Sequence, residues 1–169
     1  MSINFLIINQ NHKKRHLIWY SKNMQEIYLL DGSCFVYRAY HAIKGLSTSS
    51  GIPTNAVYGF TRMLLKLCKK KNVMYMLCAF DSPHPTKRHK LYEEYKITRP
   101  ETPKDLPMQI DYIKQIIDAI GIPRIEVVGY EADDIIATAV GVINQFAPLN
   151  FIIISIDKDM LQLVSDNVK

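Results

Sequence analysis

Glu26-Ile27-Tyr28-Leu29-Leu30-Asp31-Gly32-Ser33 sets an apolar run directly against an acid, a glycine and a hydroxyl. Such a run has the length of a buried strand, and Asp31-Gly32 stops it with turn-forming residues. Ser33 is placed to cap a helix that continues to about Ile43. The same pattern returns twice: Met74 to Phe80 is closed by Asp81, and Phe151 to Ile156 is closed by Asp157. Arg124 to Val128 reads as a further strand. Between these runs the period becomes helical. Thr54 opens a helix with Val57, Phe60, Leu64 and Leu67 inward, ending at Lys69-Lys70-Lys71. Pro100, Pro103 and Pro107 introduce another, with Ile110, Ile113, Ile117 and Ile120 inward and Gly121 closing it. A third runs from near Glu131 to about Phe146. Strands alternating with helices, without hairpin signals, predict an α/β fold: a central parallel sheet flanked by helices on both faces.

The chain of 169 residues fits one domain, and 48% hydrophobic with 22% charged residues is an ordinary soluble composition. A formal charge of +5 suggests an acidic partner, nucleic acid being the commonest, although many basic proteins bind no polyanion. Cys34, Cys68 and Cys78 lie far apart among apolar neighbours, which predicts small core residues rather than disulfides and fits a reducing cytoplasm. No stretch approaches the roughly 18 apolar residues of a membrane span. In residues 1–25 the apolar run Ile3–Ile8 precedes Lys13-Lys14-Arg15, the reverse of a secretory signal. Met24 stands just before the first strand and is a candidate start, which would leave residues 1–25 a poorly defined leader, untranslated up to that methionine.

Chemistry gathers at the strand ends. The C-terminal ends of parallel strands line the crevice where ligands bind, and Asp31, Asp81 and Asp157 each follow a strand. Glu131-Ala132-Asp133-Asp134 follows the third strand at a helix start, and Asp159 stands two residues beyond Asp157. Asp31, Asp81, Glu131, Asp133, Asp134, Asp157 and Asp159 therefore form one candidate cluster. Uncompensated, such crowding raises carboxyl pKa values, and a divalent cation relieves it. An all-oxygen set selects Mg²⁺ or Mn²⁺ over zinc. Each acid alone also reads as a helix cap, a turn former or a complement to the helix dipole. Coincidence of three strand ends with a helix-start cluster favours the shared ion.

Several blocks in this order resemble the 5′-nuclease (5′–3′ exonuclease, flap endonuclease) domain of the bacterial DNA polymerase I family, over about residues 26–169. They are Leu30-Asp31-Gly32-Ser33 with Tyr37-Arg38-Ala39-Tyr40, Gly51-Ile52-Pro53-Thr54-Asn55-Ala56-Val57-Tyr58-Gly59-Phe60, and Ala79-Phe80-Asp81. Tyr92-Glu93-Glu94-Tyr95-Lys96, Arg99-Pro100, Gly129-Tyr130-Glu131-Ala132-Asp133-Asp134, and Asp157-Lys158-Asp159-Met160-Leu161-Gln162-Leu163-Val164 complete them. The tyrosine-glutamate-alanine-aspartate-aspartate block followed by aspartate-lysine-aspartate is highly specific.

The resemblance implies a PIN-like, resolvase-like fold with a basic helical arch over residues 84–103. It implies a nuclease that cuts DNA phosphodiesters near 5′ ends, flaps and nicks with two metal ions. Asp31, Asp81, Glu131, Asp133 and Asp134 would hold mainly the first ion, and Asp157 and Asp159 the second. Lys96 and Arg99 would act catalytically, clamping charge at the scissile phosphate. Arg38, Lys87, Arg88, Lys96 and Arg99 are expected on DNA, with Tyr92 and Tyr95 offering faces to unpaired bases. A solvated charged helix is the competing reading of this segment, and an ordinary surface arginine that of Arg38. Ser33 lacks an activating histidine and is no nucleophile.

Two departures qualify the resemblance. The chain ends at Lys169, before the family's further aspartate pair and its helix–hairpin–helix-type segment, and Ile156 stands where the family has glycine. The expectation is thus the N-terminal part of the domain, a monomer in the cytoplasm at the nucleoid, with impaired cleavage. The alternative is a non-catalytic DNA-binding remnant.

Overall fold

Alternation along three strands builds two separate cores. The computed structural model describes residues 26–71, 73–92, 94–97, 100–145 and 149–169. Its elements are β1 (Glu26–Asp31), α1 (Gly32–Ala42), α2 (Asn55–Lys71), β2 (Tyr75–Phe80), α3 (Lys87–Leu91), α4 (Leu106–Ala119), β3 (Arg124–Glu126), α5 (Ala132–Asn144) and β4 (Asn150–Ile154). A 3-10 turn follows over Lys158–Leu163. All strand pairs are parallel, in the order β3-β2-β1-β4, with Leu29 opposite both Leu77 and Ile153. The leader, residues 1–25, lies outside the described residues, as does Phe146.

Tyr28 and Leu30 of β1 with Met76, Cys78 and Phe80 of β2 face α1, α2 and α4, where Val36, Phe60, Leu64, Ile113 and Ile117 close the larger core. The neighbouring positions Leu29, Ala79 and Phe151 point the other way, onto Ile135, Ile136 and Val140 of α5. Topology explains the division. The chain steps outward from β1 through β2 to β3, and α5 must recross the sheet to reach β4. Right-handed crossovers taken in opposite directions place their helices on opposite faces. The direction of travel therefore reverses beside β1, and the strand ends there form the mouth of a crevice.

The parallel α/β architecture and the inward faces of α2 and α4 match the sequence reading, with particular corrections. Ser33 does not cap α1; the cap is Asp31, whose side chain accepts the Cys34 N–H at 3.0 Å. Ile120 is not inward but 45% exposed, because α4 has ended at Ala119 and Gly121 turns the chain at φ +77°. β3 stops at Glu126, since the Tyr130 N–H turns back to the Val127 carbonyl at 3.1 Å around Gly129 at φ +85°. β4 stops at Ile154, so Ser155 and Ile156 separate it from Asp157. The cysteines are free, Cys78 buried and the other two half-buried. No helix among the described residues is long and apolar enough to cross a membrane.

Local pattern did not reveal a further pairing. The Phe151 N–H bonds the Asn167 carbonyl at 2.8 Å, and the Lys169 N–H returns to the Phe151 carbonyl at 2.9 Å. Val168 thus runs parallel beside β4 and covers its outer edge.

Gly32 allows α1 to leave β1 against β2. A Cβ there would stand 2.8 Å from Cys78 Sγ and 2.9 Å from the Ala79 carbonyl oxygen. Because that oxygen belongs to the sheet backbone, it has little freedom to retreat. Gly32→Ala is expected to destabilise the protein by about 2 kcal/mol, measured by urea unfolding. A change below about 0.5 kcal/mol would show that the junction relaxes freely.

Candidate functional site

At this crevice the loops leaving β1, β2 and β4 meet the first turn of α5. A cleft of about 640 Å³ is lined by Asp31, Asp81, Glu131, Asp133 and Asp157, together with Ser33, Cys34, Tyr37, Arg38 and His41 on the α1 side and Lys96. Asp31 ends β1 and is 3% exposed. Its carboxylate accepts the Cys34 N–H and, at 2.7 Å, the Ser155 hydroxyl. Asp81 follows β2 and accepts the Ala132 N–H at 2.8 Å, docking the start of α5 onto the sheet. Glu131, the residue before α5, is 6% exposed. Its own N–H donates to the Asp134 carboxylate at 3.0 Å.

Two cations balance this charge. The Arg88 guanidinium reaches Glu131 at 3.0 Å, Asp133 at 3.4 Å and Asp134 at 2.6 Å. Lys96 Nζ stands 2.8 Å from Glu131, and the Tyr95 hydroxyl donates to the same carboxylate at 3.0 Å. Burial pushes the Asp81 carboxyl up, and Asp31 and Glu131 add to the rise, which outweighs the Ala132 N–H and Lys96. Burial also raises Asp133, beyond what the Asp134 N–H and Arg88 offset. At Glu131 desolvation is the largest influence, yet Lys96, Tyr95 and Arg88 together hold the carboxyl below its ordinary range. The opposed shifts mark one crowded electrostatic unit. Cys34 is no thiolate: burial and the neighbouring Asp31 push its thiol up to about 12.

Five of the seven suggested carboxylates line the cleft, and the other two do not. Asp134 turns to Arg88 and to the Glu131 N–H. Asp159 is exposed in the 3-10 turn, where its N–H bonds Asp157 at 3.0 Å. Among the described residues, no three Asp, Glu, His or Cys side chains stand close enough to share an ion as placed. Arg88, Lys96 and Tyr95 all meet Glu131 at the same oxygen, Oε2. The donor set itself is all carboxylate oxygen, the chemistry a hard divalent ion takes, so these residues fit one once side chains reorient.

The suggested DNA contacts divide similarly. Arg38 is exposed on the cleft wall without an ion pair among the described residues. Tyr92 is 59% exposed, its hydroxyl donating to Glu94 at 2.8 Å. Lys87 bonds the Tyr130 hydroxyl and lies 4.2 Å above that ring. Arg88 is not turned to solvent but sits among carboxylates. Tyr95 is half-buried, edge-on to His89 at 5.2 Å, with the Lys96 ammonium 5.2 Å from its ring centre. Arg99 lies outside the described residues.

Two serines join the site that the sequence reading did not assign to it. The Ser33 hydroxyl accepts the Asp81 N–H at 2.8 Å. Ser155 donates to Asp31 and accepts the Asp157 N–H at 3.0 Å, connecting two strand ends. Their nearness in sequence to Asp31 and Asp157 was the available signal.

Comparison with known proteins agrees with this fold. Residues 26–169 match the model of the 5′-3′ exonuclease, N-terminal resolvase-like domain. The chain is 51% identical over 147 residues to a 5′-3′ exonuclease of Aquifex aeolicus, which covers 86% of this chain and 50% of that protein. It is 43% identical over 142 residues to the thermostable DNA polymerase I of Thermus thermophilus, covering 84% of this chain and 17% of that one. The chain thus spans half the length, or less, of these relatives. The bacteriophage T5 D15 protein, crystallised with metal ions, superposes with a TM-score of 0.62 at 20% identity, over 85% of this chain and 53% of that one. A T5 D15 flap endonuclease complex with DNA and metal ions has a TM-score of 0.59 at 20% identity, over 85% and 53%. Fold, strand-end acids and the match over residues 26–169 converge: the chain belongs to the family of the 5′-3′ exonuclease N-terminal resolvase-like domain.

Proposed function

We infer that this chain carries the cleft of a metal-dependent 5′–3′ exonuclease or structure-specific flap endonuclease acting on DNA. The observation behind the reading is the meeting of five carboxylates from four separate stretches of chain with Lys96 in one cleft. Asp31, Asp81, Glu131 and Asp133 would hold one Mg²⁺ or Mn²⁺, and Asp157 would contribute to a second. Bound there, divalent ions supply an activated water and stabilise charge on the phosphate. The protein contributes placement. Ser155 and the Cys34 N–H orient Asp31, and the Ala132 N–H orients Asp81. Arg38, exposed on α1 at the cleft, offers a positive charge for a phosphate. Lys96 has φ 60°, the only non-glycine residue with positive φ among those described. That conformation costs about 1–2 kcal/mol and is a recurrent mark of residues held for function. On this reading the chain works as a monomer on 5′ ends, flaps or nicks, in the cytoplasm at the nucleoid.

A second reading is DNA binding without cleavage, which the Arg88 guanidinium seated among Glu131, Asp133 and Asp134 favours. A labelled 5′-flap duplex incubated with Mg²⁺, Mn²⁺ or a chelator separates the two. Cleavage that requires the ion supports the nuclease. Binding without cleavage, weakening steeply as salt rises, supports the second reading. Neither binding nor cleavage sinks both.

Lys96→Ala is expected to lower cleavage by about a hundredfold and duplex affinity by less than about threefold, because a clamp on developing charge acts in the transition state. Gel-shift titration beside single-turnover rates measures both. Equal losses would make Lys96 a simple electrostatic tether.

A further inference from the structure

The geometry points to Arg88 as a positioning residue, with Asp134 as its anchor rather than a metal ligand: together they lock the base of the basic segment to α5 and thereby set Glu131 and Asp133. This rests on the nuclease reading above, since it concerns how that cleft is shaped. Asp134 takes the guanidinium with both oxygens, Nη2 to Oδ1 at 2.6 Å and Nη1 to Oδ2 at 3.0 Å, the fork-on-carboxylate arrangement that specifies orientation as well as charge. The same Nη1 reaches Glu131 at 3.0 Å, and the longer contacts to Asp133 are 3.4 and 3.5 Å. One cation therefore reaches two carboxylates that line the cleft and one that does not.

Asp134 is further committed by accepting the Glu131 N–H at 3.0 Å. Turning it into the cleft would break that bond and the guanidinium fork together. The segment carrying Arg88 is tied to the same turn by backbone: the Lys87 N–H bonds the Gly129 carbonyl at 2.9 Å, and the Ser82 N–H bonds the Tyr130 carbonyl at 3.1 Å. Backbone at Gly129 and side chain at Asp134 thus fix α3 on both sides of Glu131. Arg88 acts on the reaction through the carboxylates it orients and touches no substrate.

Hydrogen exchange and Mn²⁺ titration of the whole chain test this, using Arg88→Gln, Arg88→Lys, Asp134→Asn and the Arg88→Gln/Asp134→Asn pair. In the native chain the Tyr92 N–H, bonded to the Arg88 carbonyl at 2.9 Å, reports α3. Both single glutamine and asparagine variants should speed exchange in residues 87–92 by about tenfold or more, and the pair by no more than either alone, because they remove one interaction. Arg88→Lys, which keeps charge without the fork, should recover only part of the protection. Mn²⁺ affinity should fall about tenfold in both Arg88→Gln and Asp134→Asn, as expected when a supporting partner of a ligand is removed. Native exchange in 87–92 together with a loss of affinity confined to Asp134→Asn would overturn the proposal and make Asp134 a ligand. Mn²⁺ alone speeding exchange as much as Arg88→Gln would also overturn it, showing that the ion displaces the arginine. A wild-type chain that binds no Mn²⁺ would sink the nuclease reading, while the exchange measurements still decide the lock.

Discussion

Asp31→Asn is expected to leave the protein folded and to reduce ion-dependent flap cleavage by about a thousandfold, some 4 kcal/mol in the transition state. Asparagine caps a helix about as well as aspartate, so the bond from the Cys34 N–H, 3.0 Å in the native protein, persists through the amide oxygen. The Ser155 hydroxyl, which donates to Asp31 at 2.7 Å, can turn and accept from the new amide instead. What disappears is a negative oxygen at a site 3% exposed, where an ion has little water to substitute for it. Thermal unfolding should shift by a few degrees at most, while Mn²⁺ binding weakens sharply. Cleavage within about threefold of the native rate would remove Asp31 from the ion-holding set. Loss of the fold would show that its charge serves structure first.

The second large effect is structural. Gln109 of α4 is fully buried, and its side-chain oxygen accepts the Ala56 N–H at 2.9 Å, at the start of α2. Its amide nitrogen donates to Asn55 at 2.9 Å and to Asp105 at 3.1 Å. Asp105 accepts the Tyr40 hydroxyl at 2.8 Å, and Asn55 donates to the Tyr40 and Ile43 carbonyls at 2.8 and 3.0 Å. One amide therefore joins α1, α2 and α4. Gln109→Leu keeps the volume and strands the Ala56 N–H and the Asn55 oxygen away from water. Each orphaned group costs about 1–3 kcal/mol, so a loss of about 3 kcal/mol is expected, near 6–12 °C in Tm. Differential scanning calorimetry measures it. A shift under about 2 °C would mean that the network closes without Gln109.

How much of this was legible depends on range along the chain. Apolar runs ending in acids identified three strands, because alternation and burial imprint on consecutive residues. The ends of the strands were less legible. β3 and β4 stop short of their apolar runs because Gly129 turns the backbone and the Asp157 N–H folds back to the Ser155 hydroxyl, and Val127, Val128 and Ile156 read as strand residues although they are at least 40% exposed. The α4 pattern named Ile113 and Ile117 but passed over Gln109, since a buried amide carries no periodic signal.

The identity of the acids at the strand ends follows from residue order alone, since any open parallel sheet brings those ends to one side. Which acids face inward does not follow. Arg88 and Glu131 are 43 residues apart, and Ser155 and Asp31 are 124 apart, and only the docking of α5 and α3 onto the sheet decides that they meet. A guanidinium looks the same in sequence whether it awaits a phosphate or already grips carboxylates. That choice is made by competition among charges in space, where Asp134 outbids solvent for Arg88 and leaves Asp31, Asp81 and Asp133 to the cleft.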